Sequence, residues 1–390
     1  MPLVAALAVV SSSVLQSGVC HAQQPLGFRN VVVLQSGTGA TSAATATSLQ
    51  EFTPSGTPVQ NIAMPSSGAG TKLTNVGSTS TEGTLAISPD GRWITFGGYD
   101  AVAGTANVVT GTATSRVAGL LNTTTGTYSL VPMGSGFRVS TGAAIRGVAT
   151  NDGNSIWGIG SSQGLVYGTV SGGAGSFGTI SSGLPTGYNA VGVFSGTSTN
   201  LYASNSQGSN PRVAPFGPNA LPTGTATSFT ALPGAPPTAT TTSGFAFLDV
   251  NPLVPGLDTL YVTDVSQNAT GGVYKYLLGS SGTWAGGQLI SGTSGLLLRG
   301  LAAFVSGSDV RLFATSATSL FTYWDANAAT STTLAGPSTI WTTIATATTG
   351  VEFRGVTVVP EPSTAVLIGV GSVLGATEWV RRRRSRRRQP

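Results

Sequence analysis

The stretch Leu85-Ala86-Ile87-Ser88-Pro89-Asp90-Gly91-Arg92-Trp93-Ile94-Thr95-Phe96 places two short apolar runs on either side of a Pro-Asp-Gly turn. Proline presets φ and Asp-Gly makes a tight reversal, so the two runs predict paired antiparallel strands. A second copy, Arg146-Gly147-Val148-Ala149-Thr150-Asn151-Asp152-Gly153-Asn154-Ser155-Ile156-Trp157, keeps the pattern with a looser turn. Weaker copies follow at Ala190-Val191-Gly192-Val193-Phe194, Phe245-Ala246-Phe247-Leu248-Asp249, Arg299-Gly300-Leu301-Ala302-Ala303-Phe304 and Arg354-Gly355-Val356-Thr357-Val358. Each has a small residue between apolar ones. The central residues 86, 149, 192, 246, 302 and 357 are separated by 63, 43, 54, 56 and 55 positions.

Such a period suits a four-stranded propeller blade, whose known repeats run about 40 to 50 residues. In the first unit the predicted strands are 84–88, 93–96, 117–122 and 128–131, with 122–126 as a hairpin turn. The unit at Phe245 repeats this with 260–262, 273–276 and 288–290. The last unit has only its first strand, 356–359, whereas the N-terminal part supplies three unmatched strands near 30–34, 48–52 and 59–63. Joined, these make one composite blade and remove two free sheet edges. The expected fold is therefore all-β, a single six-bladed β-propeller over residues 25–358 closed by strands from both ends. The turn Ser88-Pro89-Asp90-Gly91-Arg92 resembles that between the first two strands of WD-like bacterial propeller repeats. A β-helix would need rungs of about 20 to 25 residues, and none recurs.

Composition agrees with strands. Gly is 55 of 390 residues, charged residues are 8%, and Lys occurs only at Lys72 and Lys275, so material for the polar face of long amphipathic helices is missing. The formal charge of +5 is unevenly placed: seven of the sixteen Arg lie between Arg381 and Arg388. Between Pro25 and Val359, eleven basic residues balance eleven acidic ones. A neutral body has no electrostatic reason to bind a phosphate backbone, and no nucleic-acid partner is expected.

The ends read as targeting segments. Residues 1–22 carry an apolar stretch, Leu3 to Val10, then a Ser-rich region and Cys20-His21-Ala22 before a plausible cut, the order of a signal peptide read by the Sec translocon. No Lys or Arg precedes the apolar stretch, and Val19 is bulky for a lipidated Cys20. At the other end, residues 363–380 form an apolar run with the single charge Glu378, long enough at about 1.5 Å per residue to cross a hydrocarbon core of about 30 Å. Arg381, Arg382, Arg383 and Arg384 follow as a stop-transfer signal that would hold the C-terminus in the cytoplasm.

The order Val359-Pro360-Glu361-Pro362-Ser363-Thr364, an apolar helix and an arginine cluster closely resembles the PEP-CTERM sorting domain of exopolysaccharide-producing Gram-negative bacteria. The resemblance covers residues 359–390. It implies that Pro360, Glu361 and Pro362 are recognised by an exosortase, which cuts nearby and delivers the body to the cell surface. Two prolines keep that motif extended and short of backbone donors, exposing Glu361.

Cys20 and His21 are the only cysteine and histidine, and both lie in the segment expected to be removed. A mature body without either excludes Ser-His-Asp and Cys-His catalysis and histidine zinc sites. Carboxylate chemistry remains, as in a polysaccharide hydrolase or lyase with two acids facing a cleft. The acids Glu51, Glu82, Asp90, Asp100, Asp152, Asp249, Asp258, Asp264, Asp309, Asp325 and Glu352 are scattered, mostly in turns. Asp249, Asp258 and Asp264 could offer oxygens to calcium, though their spacing matches no known loop. Arg146, Arg299 and Arg354 recur just before the first-strand Gly. They could ring one mouth as an anion or sugar-acid site, or bond structurally to the next blade. Trp284, Tyr323, Trp324 and Trp341 could stack on sugars if exposed, burial being the default. The sequons at Asn122 and Asn268 carry little weight. The expectation is an exported, non-enzymatic protein, with no catalytic residue, metal or cofactor, that binds or builds the extracellular polysaccharide layer. A secreted carboxylate enzyme is the alternative and a self-assembling coat a third reading. Acids at one mouth would favour the enzyme, and a mouth covered in Ser and Thr the binder.

Overall fold

The computed structural model of the 390-residue chain describes residues 24–39, 42–77, 79–111, 114–137, 142–171, 174–181, 183–234, 242–265, 272–289, 297–326, 328–331 and 341–361. Twenty-five strands follow one another, and the one helical element among the described residues is the 3-10 turn Gly134–Phe137. The first three are β1 (Val31–Gly37), β2 (Ala44–Phe52) and β3 (Pro58–Ala63), followed by a short β4 (Thr74–Val76). Next come β5 (Ala86–Ile87), β6 (Trp93–Tyr99), β7 (Arg116–Asn122) and β8 (Tyr128–Pro132), then β9 (Ile145–Thr150), β10 (Ser155–Gly160), β11 (Leu165–Ser171) and β12 (Ala174–Thr179). The fourth group is β13 (Val191–Ser195), β14 (Thr199–Ser204), β15 (Val213–Gly217) and β16 (Ser228–Phe229). The fifth is β17 (Thr242–Leu248), β18 (Thr259–Asp264), β19 (Gly272–Leu278) and β20 (Trp284–Leu289). The sixth is β21 (Gly300–Ser306), β22 (Asp309–Thr315), β23 (Ser319–Asp325) and β24 (Thr342–Thr346), and β25 (Val351–Val358) ends the series.

Each four-stranded group from β9 onward forms its own antiparallel sheet, paired in sequence order. The exception is a nine-stranded sheet, in which β25 pairs with β1, β1 with β2 and β2 with β3. This is the composite unit expected from the two ends, with Val31 opposite both Phe52 and Val358. The short β4 was not foreseen. It pairs Ala44–Ala46 of β2 and then Tyr99 of β6, joining the composite unit to the β5–β8 unit. Strand positions otherwise overlap those expected, although the first strand is trimmed to Ala86–Ile87, the last strand of the fifth unit begins at Trp284, and β2 and β25 begin earlier than expected, at Ala44 and Val351.

The first strands β5, β9, β13, β17, β21 and β25 line a common axis. β25 lies against β5 and β21, β5 against β9, β9 against β13, and β17 against β21, while β14 against β17 completes the circuit. This is the arrangement of a β-propeller. Small residues at the centres of these strands have a steric cause, because backbones converge there. Ala86, Ala149, Ala246 and Ala302 are all buried. A methyl group at Gly355 would lie 2.4 Å from the Gly83 carbonyl oxygen, and one at Gly300 would lie 2.7 Å from the Val356 nitrogen. Burial falls off outward, from the inner half of β6, almost wholly buried, to β3 and β24, largely exposed.

The abundant Ser and Thr stitch neighbouring units. Gly355 N donates to Gly83 O, Thr84 Oγ1 to Arg146 O at 2.6 Å, Ser204 Oγ to Ser243 O at 2.9 Å, and Thr315 Oγ1 to Arg354 O. Thr95 Oγ1 likewise reaches Val148 O at 2.6 Å. Hydroxyls suit this task because a short neutral donor satisfies a buried carbonyl without bringing a charge into the core.

One charged pair is buried between the last two units. Lys275 Nζ of β19 lies 2.7 Å from Asp325 Oδ2 of β23, both side chains fully shielded, and Tyr261 of β18 donates to the same oxygen at 2.5 Å. Burial pulls the lysine pKa down while the carboxylate opposes it.

Residues 1–22, Pro362, the apolar run 363–380 and the arginines 381–388 lie outside the described residues. Among the described residues, no helix is long and apolar enough to cross a membrane.

Two substitutions test these packing arguments in chemical denaturation. Gly355→Ala is expected to lower stability by about 1–3 kcal/mol, since the backbone oxygen it meets cannot rotate away. Lys275→Met should cost about 3–5 kcal/mol by removing the positive charge facing Asp325, and the double variant with Asp325→Leu should recover most of it.

Candidate functional site

The inner strands run parallel to one another along the axis, so residues at equivalent positions share a mouth. Three residues before each central residue stand Gly83, Arg146, Asn189, Ser243, Arg299 and Arg354. The carbonyls of Gly83, Arg146, Ser243 and Arg354 are held by the neighbouring unit, as above, and the side chains of Arg146, Asn189, Ser243 and Arg299 line one cavity as a polar collar, with Arg354 buried at its base. Of the six, the sequence pattern identified the three arginines. It missed Asn189 and Ser243, although both share the same offset.

Arg146 Nη1 donates to Asn189 Oδ1 at 2.6 Å and to Tyr188 O at 3.2 Å. Asn189 is itself held by donation to Ser206 Oγ and Thr242 O. Arg299 Nη1 lies 2.5 Å from Glu352 Oε2, and Arg354 Nη2 lies 3.5 Å from the same oxygen while donating to Val76 O. Each of the three arginines thus spends one edge on the scaffold, the structural role that was one of the two foreseen for them. Beneath the collar, Glu82 accepts from the Tyr99 hydroxyl at 2.7 Å and from Val76 N at 3.1 Å. Burial raises the Glu82 pKa, partly offset by these bonds and by Arg354 and Arg146. Burial lowers the Arg146 pKa, and burial with repulsion from Arg299 brings Arg354 down to about 10.

Arg146 and Arg299 face a cavity of about 240 Å³ lined also by Ser80, Thr81, Asn189, Ser206, Ser243, Val265, Leu297 and Leu298. Its walls combine two cations with hydroxyls and one amide, a composition suited to an oxyanion carried on a polyhydroxyl body. A second cavity of about 350 Å³ follows the axis and is mostly apolar, bounded by Val191, Val193, Phe245, Phe247, Leu301 and Val356. Pro360 lies at its far end, against the Gly91 turn.

The other candidates fall elsewhere. Pro360 and Glu361 leave the ring at the mouth opposite the collar, and Glu361 Oε1 pairs with Arg29 Nε at 2.8 Å while remaining 61% exposed. Trp284, Tyr323 and Trp341 are buried in the units, and Trp324 donates to Asp309. The three buried rings offer no exposed stacking face. Asp258 is committed to the amides of Val250 and Asn251 and to the Thr259 hydroxyl, so it is not free to join Asp249 and Asp264 around calcium. Asp90 and Asp152 cap their own turns, and Glu51 holds Gly27, Asn30 and Gln60. Among the described residues, no three His, Cys, Asp or Glu side chains converge as a metal site. The collar mouth is cationic and hydroxyl-lined, which matches neither a carboxylate cleft nor a purely Ser/Thr surface.

Glu82 makes the collar sensitive to pH. The unfolded chain ionises this carboxyl near its ordinary value of 4.5 and the folded chain ionises it at higher pH, so its favourable contribution, complete at low pH, is lost as pH rises. Denaturation of Glu82→Gln and wild type from about pH 4 to pH 7 should show the stability difference moving steadily in favour of the variant.

No protein-family model matches the sequence, and no curated protein matches it. Among solved structures, a 6-phosphogluconolactonase candidate from Bacteroides uniformis is 14% identical with a TM-score of 0.43, over 79% of this chain and 81% of that one. The Dos1 propeller is 12% identical with a TM-score of 0.39, over 64% of this chain and 59% of that one. YCF48, solved bound to a D1 peptide, is 12% identical with a TM-score of 0.37, over 87% and 96%. At such values none of these likenesses bears on what this chain does, and the propeller arrangement stands on its own strand pairing.

Proposed function

We propose that the chain is an exported protein, passed through the Sec translocon, held briefly in the inner membrane and sorted by an exosortase to the cell surface or extracellular matrix. Its six-bladed body then serves as a non-enzymatic binding or structural module of the exopolysaccharide layer. The observation that carries this reading is the separation of the two mouths. The segment leading to the sorting motif leaves beside Pro360, on the face opposite the arginine collar. A body tethered through residues 363–380 would therefore present the collar away from the membrane.

Two further features support it. Glu361 is reachable at the end of the ring, and its exposed pair with Arg29 is worth only about 0.2–1 kcal/mol, a small obstacle to a protease that must draw the motif into its own site. Asp90, Asp152 and Asp258 are spent on turn amides, Glu352 on arginines and Glu82 on Tyr99, which favours a binder over a hydrolase or lyase.

In the native host, mass spectrometry of the surface fraction should find a mature C-terminus close to Pro360, and Glu361→Ala should leave the tail attached and the chain in the membrane fraction. A surface-exposed mature protein still ending at Pro390 would overturn the reading.

A further inference from the structure

We propose that the cavity between Arg146 and Arg299 is a binding site for a single acidic sugar residue, with the guanidinium groups taking its carboxylate and Ser80, Thr81 and Ser206 taking its hydroxyls. This deepens the reading of the body as an exopolysaccharide-layer module and rests on it.

The geometry points first to an anion. Arg146 and Arg299 each use Nη1 in the scaffold, while no bond among the described residues uses Nη2 of either, and both side chains line the cavity. Asn189, 6% exposed and bonded on both sides, and Glu352 hold these guanidiniums in place before any ligand arrives, which reduces the entropy lost on binding. An arginine whose fork is fixed on one edge presents the other as a directional donor, which suits a planar carboxylate.

Charge then selects among anions. Of the two guanidiniums that line the cavity, Arg299 is paired with Glu352 at 2.5 Å, whereas no carboxylate among the described residues forms an ion pair with Arg146. One uncompensated positive charge in a partly desolvated setting complements a monoanion. A phosphate monoester, carrying about two negative charges at neutral pH, would be left undercompensated. Size points the same way, because about 240 Å³ lies below the usual range for drug-sized ligands and accommodates one sugar ring rather than an oligosaccharide. Neighbouring sugars of a polymer would extend into solvent through the mouth, past exposed Ser80 and Leu297.

The test is calorimetric titration of the whole chain, purified in detergent, with D-galacturonate and D-glucuronate. The uronate methyl esters, glucose and inorganic phosphate serve as comparisons. Wild type should bind a uronate, and the methyl esters and glucose should bind at least about tenfold more weakly, since esterification removes the charge and keeps the ring. Arg146→Gln should lose binding. Ser80→Trp, which fills the cavity from an exposed position and leaves every arginine bond intact, should lose it too, with an unchanged denaturation midpoint. No uronate binding to wild type, equal binding of the esters, unchanged binding in Ser80→Trp, or tighter binding of inorganic phosphate would each overturn the assignment. Retention of extracted host polysaccharide separates this proposal from the one it rests on. Equal retention by wild type and Ser80→Trp would leave the surface role standing and remove this site, whereas uronate binding in a chain never exported would keep the site and remove that role.

Discussion

Six inner strands converge so closely on one axis that a single added methyl at Gly355 would lie 2.4 Å from a neighbouring carbonyl oxygen. The rest of the molecule depends on this crowding. It selects alanine, glycine or threonine at the strand centres and pushes bulky apolar side chains into the spaces between units, where Phe96, Trp157, Phe216, Phe247 and Phe313 are buried. It also brings carbonyl groups of one unit against the next, where each must find a donor or cost the free energy of an unmade bond.

The chain meets that demand with neutral donors. Thr84, Thr95, Ser204 and Thr315 cap carbonyls across the seams, which gives a physical reason for a body rich in Ser and Thr and poor in charge. The charges that are kept inside come with partners, as in Lys275 with Asp325 and Tyr261, or Glu82 with Tyr99. Closure uses the same economy. Pairing β25 with β1 joins the two ends of the described chain, so unzipping the ring from either end must break a full antiparallel ladder.

Direction follows from parallel inner strands. All six begin at the arginine collar and end at the mouth where Pro360 sits, so the fold assigns its two faces different neighbours before any ligand is considered. One face carries Pro360, Glu361 and the way to the apolar tail, and the other carries fixed guanidinium groups over a small hydroxyl-lined cavity. A neutral body thus keeps a local cationic site, because its eleven acids are mostly spent elsewhere, on turns and seams.

Much of this was legible in the linear sequence. The repeat of a small residue between apolar ones marked all six inner strands, and the unmatched strands at the two ends announced their own pairing, because both signals are local patterns with a fixed period. Arg146, Arg299 and Arg354 were visible as a recurring offset. Asn189 and Ser243 share that offset but were hidden by their ordinariness in a chain full of Asn and Ser, and β4 was too short and too polar to be read. What the tertiary structure alone decided is which polar groups meet. Asp258 turned out to be occupied by its own loop, three aromatics offered as sugar platforms were buried, and Glu82, 64 positions before Arg146, came to lie beneath it. Strand identity is set by residues close in sequence, whereas the chemistry of a mouth is set by residues from six separate units, and only closure of the ring brings those together.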